Sequence, residues 1–192
     1  MLKSVLPSNR SQPILHLHTT NHLLLVLIFV VTLLYPVLGS AHQLALIGDS
    51  LSVGVNSVTN STAFSTKCIH CESGIGIDKL TKEVLLKTKD IPKEGAVLII
   101  VGTNDYWRGY SKEEYRDKLQ SLVLIVRAQN PLGKIILVKP NPKLGKVKNG
   151  VQTFLRAYND IQNVTAIEPI QSTATDGVHY RDYAEYLQSI LK

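Results

Sequence analysis

Three short motifs hold the residues of this chain that could do chemistry: Gly48-Asp49-Ser50, Gly102-Thr103-Asn104-Asp105 and Asp176-Gly177-Val178-His179. They supply a hydroxyl, an amide, a carboxylate and an imidazole. An acyl-transfer site needs that set: a nucleophile, an oxyanion donor, an orienting acid and a base. Asp176 and His179 are three residues apart, so one turn lets the carboxylate reach the imidazole, fix its tautomer and stabilise its protonated form. Ser50 follows an apolar run and precedes a helical pattern. A hydroxyl at a helix N-terminus sits where backbone N–H groups favour developing negative charge. The plain alternative for Ser50 is a helix N-cap. The Asn104 amide can donate to an oxyanion without titrating; its plain alternative is a turn asparagine. Asp105 reads as a brace rather than an acid, and Asp49 as a cap or loop brace.

The histidines narrow the choice of base. His16, His18 and His22 precede or enter an apolar run, His42 follows that run, and His70 lies between two cysteines. Only His179 is well placed to be a general base. A fourth segment, Ser73-Gly74, follows the second predicted strand; glycine there lets a backbone N–H point into a site unobstructed. Gly76 is the alternative. Tyr106 and Trp107 follow Asp105 and are read either as a sugar-stacking wall or as packing. The G-x-S-x-G elbow is absent, because Ser52 stands at its second glycine.

The elements that would hold these residues alternate. Gln43–Ile47 reads as a buried strand, then Leu51–Val58 as a short helix and Thr66–Cys71 as a weaker strand. Asp78–Lys87 carries Leu80, Val84 and Leu85 at helical spacing. Ala96–Val101 is uniformly apolar, as a parallel strand covered on both faces should be. Ser111-Lys112-Glu113-Glu114 is a capping box opening a helix to about Ala128, with Leu119, Leu122, Val123 and Val126 on one face and Asn130-Pro131 at its end. Lys134–Lys139 is the next strand. A helix near Val151–Asp160, a strand at Asn163–Ile167 and a helix at Tyr180–Leu191 follow. This pattern predicts an α/β fold, a doubly wound parallel sheet of about five strands with helices on both faces. Ligands in such folds bind beyond the carboxyl ends of the strands.

The chain has 192 residues and a formal charge of +6. Residues 23–39 (LLLVLIFVVTLLYPVLG) carry no charge, Lys3 and Arg10 precede them, and no acidic residue occurs before Asp49. With Gly39 and Ala41 at small-residue positions, residues 1–41 read as a signal peptide, or as an N-terminal anchor that is retained. Either way residues 42–192 form the exported domain, periplasmic, cell-surface or secreted. Without the leader, 19 basic residues face 15 acidic ones. The lysines from Lys134 to Lys148 could meet an anionic surface or read as a solvated loop. No nucleic-acid motif, nucleotide-binding glycine loop or internal repeat is present.

Cys68-Ile69-His70-Cys71 lacks the further ligands of a zinc site and the histidine of a haem attachment. A local disulfide is expected in an exported domain; unbonded thiols or a redox pair are the alternatives. Asn60-Ser61-Thr62 and Asn163-Val164-Thr165 are glycosylation sequons.

Taken in order, the motifs resemble the SGNH hydrolases, or GDSL esterases, named for Ser, Gly, Asn and His in four blocks. GDS at Ser50, SG at Gly74, GTND at Asn104 and DGVH at Asp176 and His179 match, and they span Leu46 to Leu187. The resemblance implies a three-layer flavodoxin-like fold and a serine esterase without metal or organic cofactor. Ser50 would attack an ester, His179 would be the base and Asp176 its orienter. The Ser50 and Gly74 N–H groups and the Asn104 amide would hold the oxyanion. Export and few insertions point to a short acyl group, such as O-acetyl on a glycan. A lysophospholipase or thioesterase of the same fold, and a non-catalytic glycan-binding protein, are the alternatives. The expected partner is a small-molecule or glycan ester, with no nucleic acid, and a membrane only through a retained N-terminal segment.

Overall fold

The computed structural model describes residues 43–58, 65–141, 155–171 and 173–192. All belong to the unit Ala41–Lys192. The leader or anchor expected over residues 1–41, the first sequon and residues 142–148 of the lysine-rich run lie outside the described residues. No described helix is long and apolar enough to cross a membrane.

In chain order the elements are β1 (Gln43–Gly48), α1 (Ser50–Val58), β2 (Ser65–Cys71), α2 (Ile77–Leu86), β3 (Ala96–Ile100), α3 (Lys112–Gln129), β4 (Lys134–Val138), β5 (Thr165–Ile167) and α4 (Tyr183–Leu191). The strands form one sheet in the order β2-β1-β3-β4-β5, with every pair parallel. This is the flavodoxin-like doubly wound order. The connections diverge from β1, toward β2 on one side and β3 on the other. The ligand crevice of such a sheet lies at this divergence, beyond Gly48 and Ile100.

Alternation along each strand builds two cores. Ala45, Ile47, Val97, Ile99, Ile135 and Leu137 point to one face, packed with Leu80 and Val84 of α2 and Leu119, Leu122, Val123 and Val126 of α3. Leu44, Leu46, Leu98, Ile100, Ile136 and Val138 point to the other, against Leu51 and Val55 of α1 and Tyr186, Leu187 and Ile190 of α4. A strand buried on both sides has no polar positions, which is why β3 and the Ile135–Val138 stretch of β4 read as unbroken apolar runs.

The helix ends follow their caps. The Ser111 hydroxyl accepts from the Glu114 amide and the Glu114 carboxylate accepts from the Ser111 amide, the complete capping box. The last helix starts at Tyr183 rather than Tyr180, because Asp182 caps it by accepting from the Ala184 and Glu185 amides. Three other expectations are corrected. Leu85 is 57% exposed; Ile77, Leu80 and Val84 form the buried stripe, and Leu85 lies about 100° round from it. The described part of the Val151–Asp160 helix ends in a 3-10 turn, Ala157–Asp160, which turns Tyr158 into the core where its hydroxyl donates to the Val101 carbonyl at 2.6 Å. β5 begins at Thr165 rather than Asn163, because Asn163 has φ of 62° and cannot continue an extended strand.

Candidate functional site

The site is assembled at the carboxyl ends of β1, β2 and β3 and in the segment before α4. β1 and β3 pass so closely at Gly48 that a Cβ there would lie 1.9 Å from the Ile100 carbonyl oxygen. Only glycine allows the turn. The Asp49 amide donates to that same carbonyl at 2.9 Å, holding the turn against β3.

Asp49 organises the start of α1. Its carbonyl accepts from the Ser52 and Val53 amides and from the Ser52 hydroxyl, and its Oδ1 accepts from the Leu51 amide at 3.0 Å. Three first-turn amides are thereby engaged, and the Ser50 amide is left outside this set. Ser52 is fully buried and committed to Asp49, so Ser50 carries the available hydroxyl. Asp49 is itself fully buried, and its Oδ2 has no hydrogen-bond partner. Burial, opposed by the Leu51 amide and by Thr103, pushes its carboxyl up to about 7.

His179 and Asp176 come from the far end of the sequence. His179 Nε2 lies 2.9 Å from Ser50 Oγ, and His179 Nδ1 lies 2.6 Å from Asp176 Oδ2. The other oxygen, Asp176 Oδ1, accepts from the Val178 and His179 amides at 2.9 and 3.0 Å. The His179 hydrogen bond, and then the two amides, hold the Asp176 carboxyl down to about 2. It is therefore a charged acceptor at any working pH. The imidazole and carboxylate side chains are 42% and 50% exposed, so the site opens directly to solvent.

Asn104 lies in the turn after β3. Its Nδ2 donates to the Ile75 carbonyl at 3.1 Å. One amide hydrogen is thus occupied and fixes the plane of the side chain, leaving the second to point elsewhere. Asp105, almost fully buried, accepts from the Ile77 amide with both oxygens at 3.0 Å. Burial pushes the Asp105 carboxyl up, and that amide together with Arg108 restrains the rise. Asn104 and Asp105 therefore bind one strand-end loop to the next.

The two candidate glycines differ. Gly74 is exposed, has φ of +80°, and has open space where a Cβ would be. Gly76 is buried at the start of α2, where a Cβ would sit 2.5 Å from Asp105 Oδ1. Gly76 serves the Asp105 contact, and Gly74 faces outward. Tyr106 packs against the first core while Trp107 is 58% exposed, their rings edge-to-face at 4.7 Å. Cys68 and Cys71 are joined in a disulfide. His70 lies between Glu72 and Lys87 at 3.2 and 3.1 Å. Among the described residues no group of three or more His, Cys, Asp or Glu side chains is arranged to hold a metal ion.

Two partners of the site were beyond sequence reading. The Ile75 carbonyl is a backbone group and leaves no residue-type signal. The hold of Asp105 on Ile77 spans 28 residues; its only sequence trace is an acid beside a strand end.

The chain has the SGNH-hydrolase fold. A lipase/acylhydrolase from Enterococcus faecalis superposes with a TM-score of 0.56 at 14% identity, covering 78% of this chain and 92% of that one. A structure assigned as a GDSL-like lipase from Parabacteroides merdae gives 0.58 at 17%, covering 79% and 94%. A variant of an acetyl xylan esterase from Geobacillus stearothermophilus gives 0.54 at 20%, covering 78% and 91%. No protein-family model matches the sequence, and no curated protein aligns with it significantly.

Proposed function

We propose that the protein is an exported serine esterase that removes short acyl groups, O-acetyl foremost, from a glycan. The observation that carries the esterase reading is the hydrogen-bonded series Ser50–His179–Asp176 at the N-terminus of α1. In this reading Ser50 Oγ attacks the ester carbonyl as His179 Nε2 takes its proton. Asp176 holds the imidazole and stabilises its charge. The Ser50 and Gly74 amides and the second amide hydrogen of Asn104 stabilise the oxyanion. His179 returns the proton to the departing alcohol. Water, activated by His179, then releases the acid from acyl-Ser50.

The half-exposed His179 and Asp176 favour an ester presented on a bulky alcohol with a small acyl group, because no deep apolar slot is needed. An acetyl xylan esterase among the similar folds fits that class. Trp107, exposed and braced by Tyr106, would stack on a sugar face. The charge-free run before Gly39 supports export.

The test is acetate release from acetylated polysaccharide beside a p-nitrophenyl ester series from acetate to palmitate, with wild type and Ser50→Ala. The reading expects acetate release and a preference for the shortest ester, both lost in Ser50→Ala. Activity on lysophospholipid or long-chain thioester alone would move the protein to a lipase or thioesterase role. No turnover, and no fluorophosphonate labelling of Ser50, would make it a binding protein.

A further inference from the structure

β2 carries one residue more than its partner. Leu46 of β1 faces Cys68, and the next residue, Ile47, faces His70. Ile69 is therefore the extra residue of a bulge, and its side chain is buried in the first core. The Cys68–Cys71 disulfide spans this bulge, joining the residue before it to the last residue of the strand. Cys71 faces Gly48, and the next amide, Glu72, donates to the Gly48 carbonyl at 3.0 Å. A tight turn closed by Ile75 N to Glu72 O follows. It contains Gly74 and ends at the carbonyl that holds Asn104.

The segment that presents Gly74 and orients Asn104 thus hangs directly from the bridged bulge. A bulge is a place where strand register can be redistributed, and a shift by one residue moves everything beyond it by about 3.3 Å. Both cysteines are only partly buried, within reach of a small thiol. Resting on the esterase reading above, we propose that the Cys68–Cys71 disulfide is a redox-responsive clamp that positions the oxyanion loop. Opening it slows acyl transfer while leaving the fold and the substrate contacts in place.

Opening is thiol–disulfide exchange with a dithiol. One reagent thiolate attacks one cysteine sulfur, and the other cysteine leaves as a thiolate that takes up a proton. The second reagent thiol then displaces the mixed disulfide. Two electrons pass to Cys68 and Cys71, which end as thiols, and the reagent ends as its cyclic disulfide.

The experiment treats the full chain with dithiothreitol until two thiols per chain titrate, then measures p-nitrophenyl acetate kinetics and far-UV circular dichroism. The expected result is a kcat about 10-fold lower, well inside the roughly 100-fold that a 1 Å misplacement can cost. KM stays within about twofold, as a loss confined to the transition state requires. The spectrum is unchanged, and reoxidation restores the rate. The double variant Cys68→Ser/Cys71→Ser is slow from the outset and indifferent to dithiothreitol. If that variant does not fold, the reduced and reoxidised wild type decides alone. Full activity with both thiols titratable overturns the clamp and leaves the esterase reading standing. A rate loss that tracks loss of the circular dichroism signal also overturns it, since the bridge would then only hold the fold. An oxidised protein that neither turns over ester nor labels at Ser50 overturns the esterase reading and this proposal together.

Discussion

Asn104 donates one hydrogen of its side-chain amide to the main-chain carbonyl of Ile75, 3.1 Å away and 29 residues earlier in the chain. That bond settles which way the second hydrogen points. If it points at the oxyanion, Asn104→Ala lowers kcat on p-nitrophenyl acetate by about 10²–10³ while KM changes little. A loss confined to KM would remove Asn104 from the oxyanion hole.

Ser50 and His179 should behave as a unit. Ser50→Ala and His179→Ala each lower kcat by about 10⁴ or more, and the double variant falls little further. Additive losses in the double variant would show that the pair does not act together. Asp176→Asn keeps a similar shape but withdraws the charge facing the imidazole, and kcat falls on the order of 10⁴. The Asp176 carboxyl lies near 2 in the folded protein, below its ordinary value. Its contribution to stability is thus complete above the ordinary value near 3.9 and is lost only as pH falls through about 2. Protonation of Asp176 therefore makes no difference to kcat/KM until the pH approaches about 2.

Gly74→Ala and Gly76→Ala should separate stability from rate. At Gly74 there is room for the methyl, and the cost is the left-handed backbone, on the order of 1 kcal/mol. Its main effect is a lower kcat. At Gly76 the methyl collides with Asp105 Oδ1, so Tm falls by several degrees, about 2–4 °C for each kcal/mol. Calorimetry and ester kinetics on the two variants check this; the reverse ranking would exchange the roles of the two glycines.

Asp49 predicts a pH dependence opposite to that of an ordinary carboxylate. Its folded value, about 7, lies above its unfolded value, so the folded state holds a proton that the unfolded state has already released. Stability is complete below the unfolded value near 3.9 and declines as pH rises toward 7. Asp49→Asn removes that titration. The Tm of the variant relative to wild type should therefore rise between pH 4.5 and 7.5, by roughly 6–12 °C for a linkage change of about 3 kcal/mol. A flat difference across that range would show that Asp49 does not titrate there.

The fold was largely legible because its main signals are local and cumulative. A strand buried on both faces must be apolar throughout, which marked Ala96–Ile100 and Ile135–Val138. A capping box marked the start of α3, and alternation of strand and helix permitted few other topologies. Tyr183 as the start of α4 was less legible, because Asp182 as a cap is one polar residue among several. The exposure of Leu85 depended on which stripe of α2 met the sheet.

Within the site, the three-residue spacing of Asp176 and His179 permitted their contact, because a single turn brings the two side chains within reach. The sequence also singled out Ser50 and Asn104 as residue types at strand ends. It did not determine that His179 Nε2 would meet Ser50 Oγ across 129 residues, nor that Ile75 and Ile77 would supply the backbone groups holding Asn104 and Asp105. Those relations depend on strand order and on the divergence of the chain from β1. Gly74 was the glycine chosen from the sequence, with Gly76 two residues on as its alternative. Only the packed structure shows how their surroundings differ, because the space around a glycine is made by residues remote in the chain.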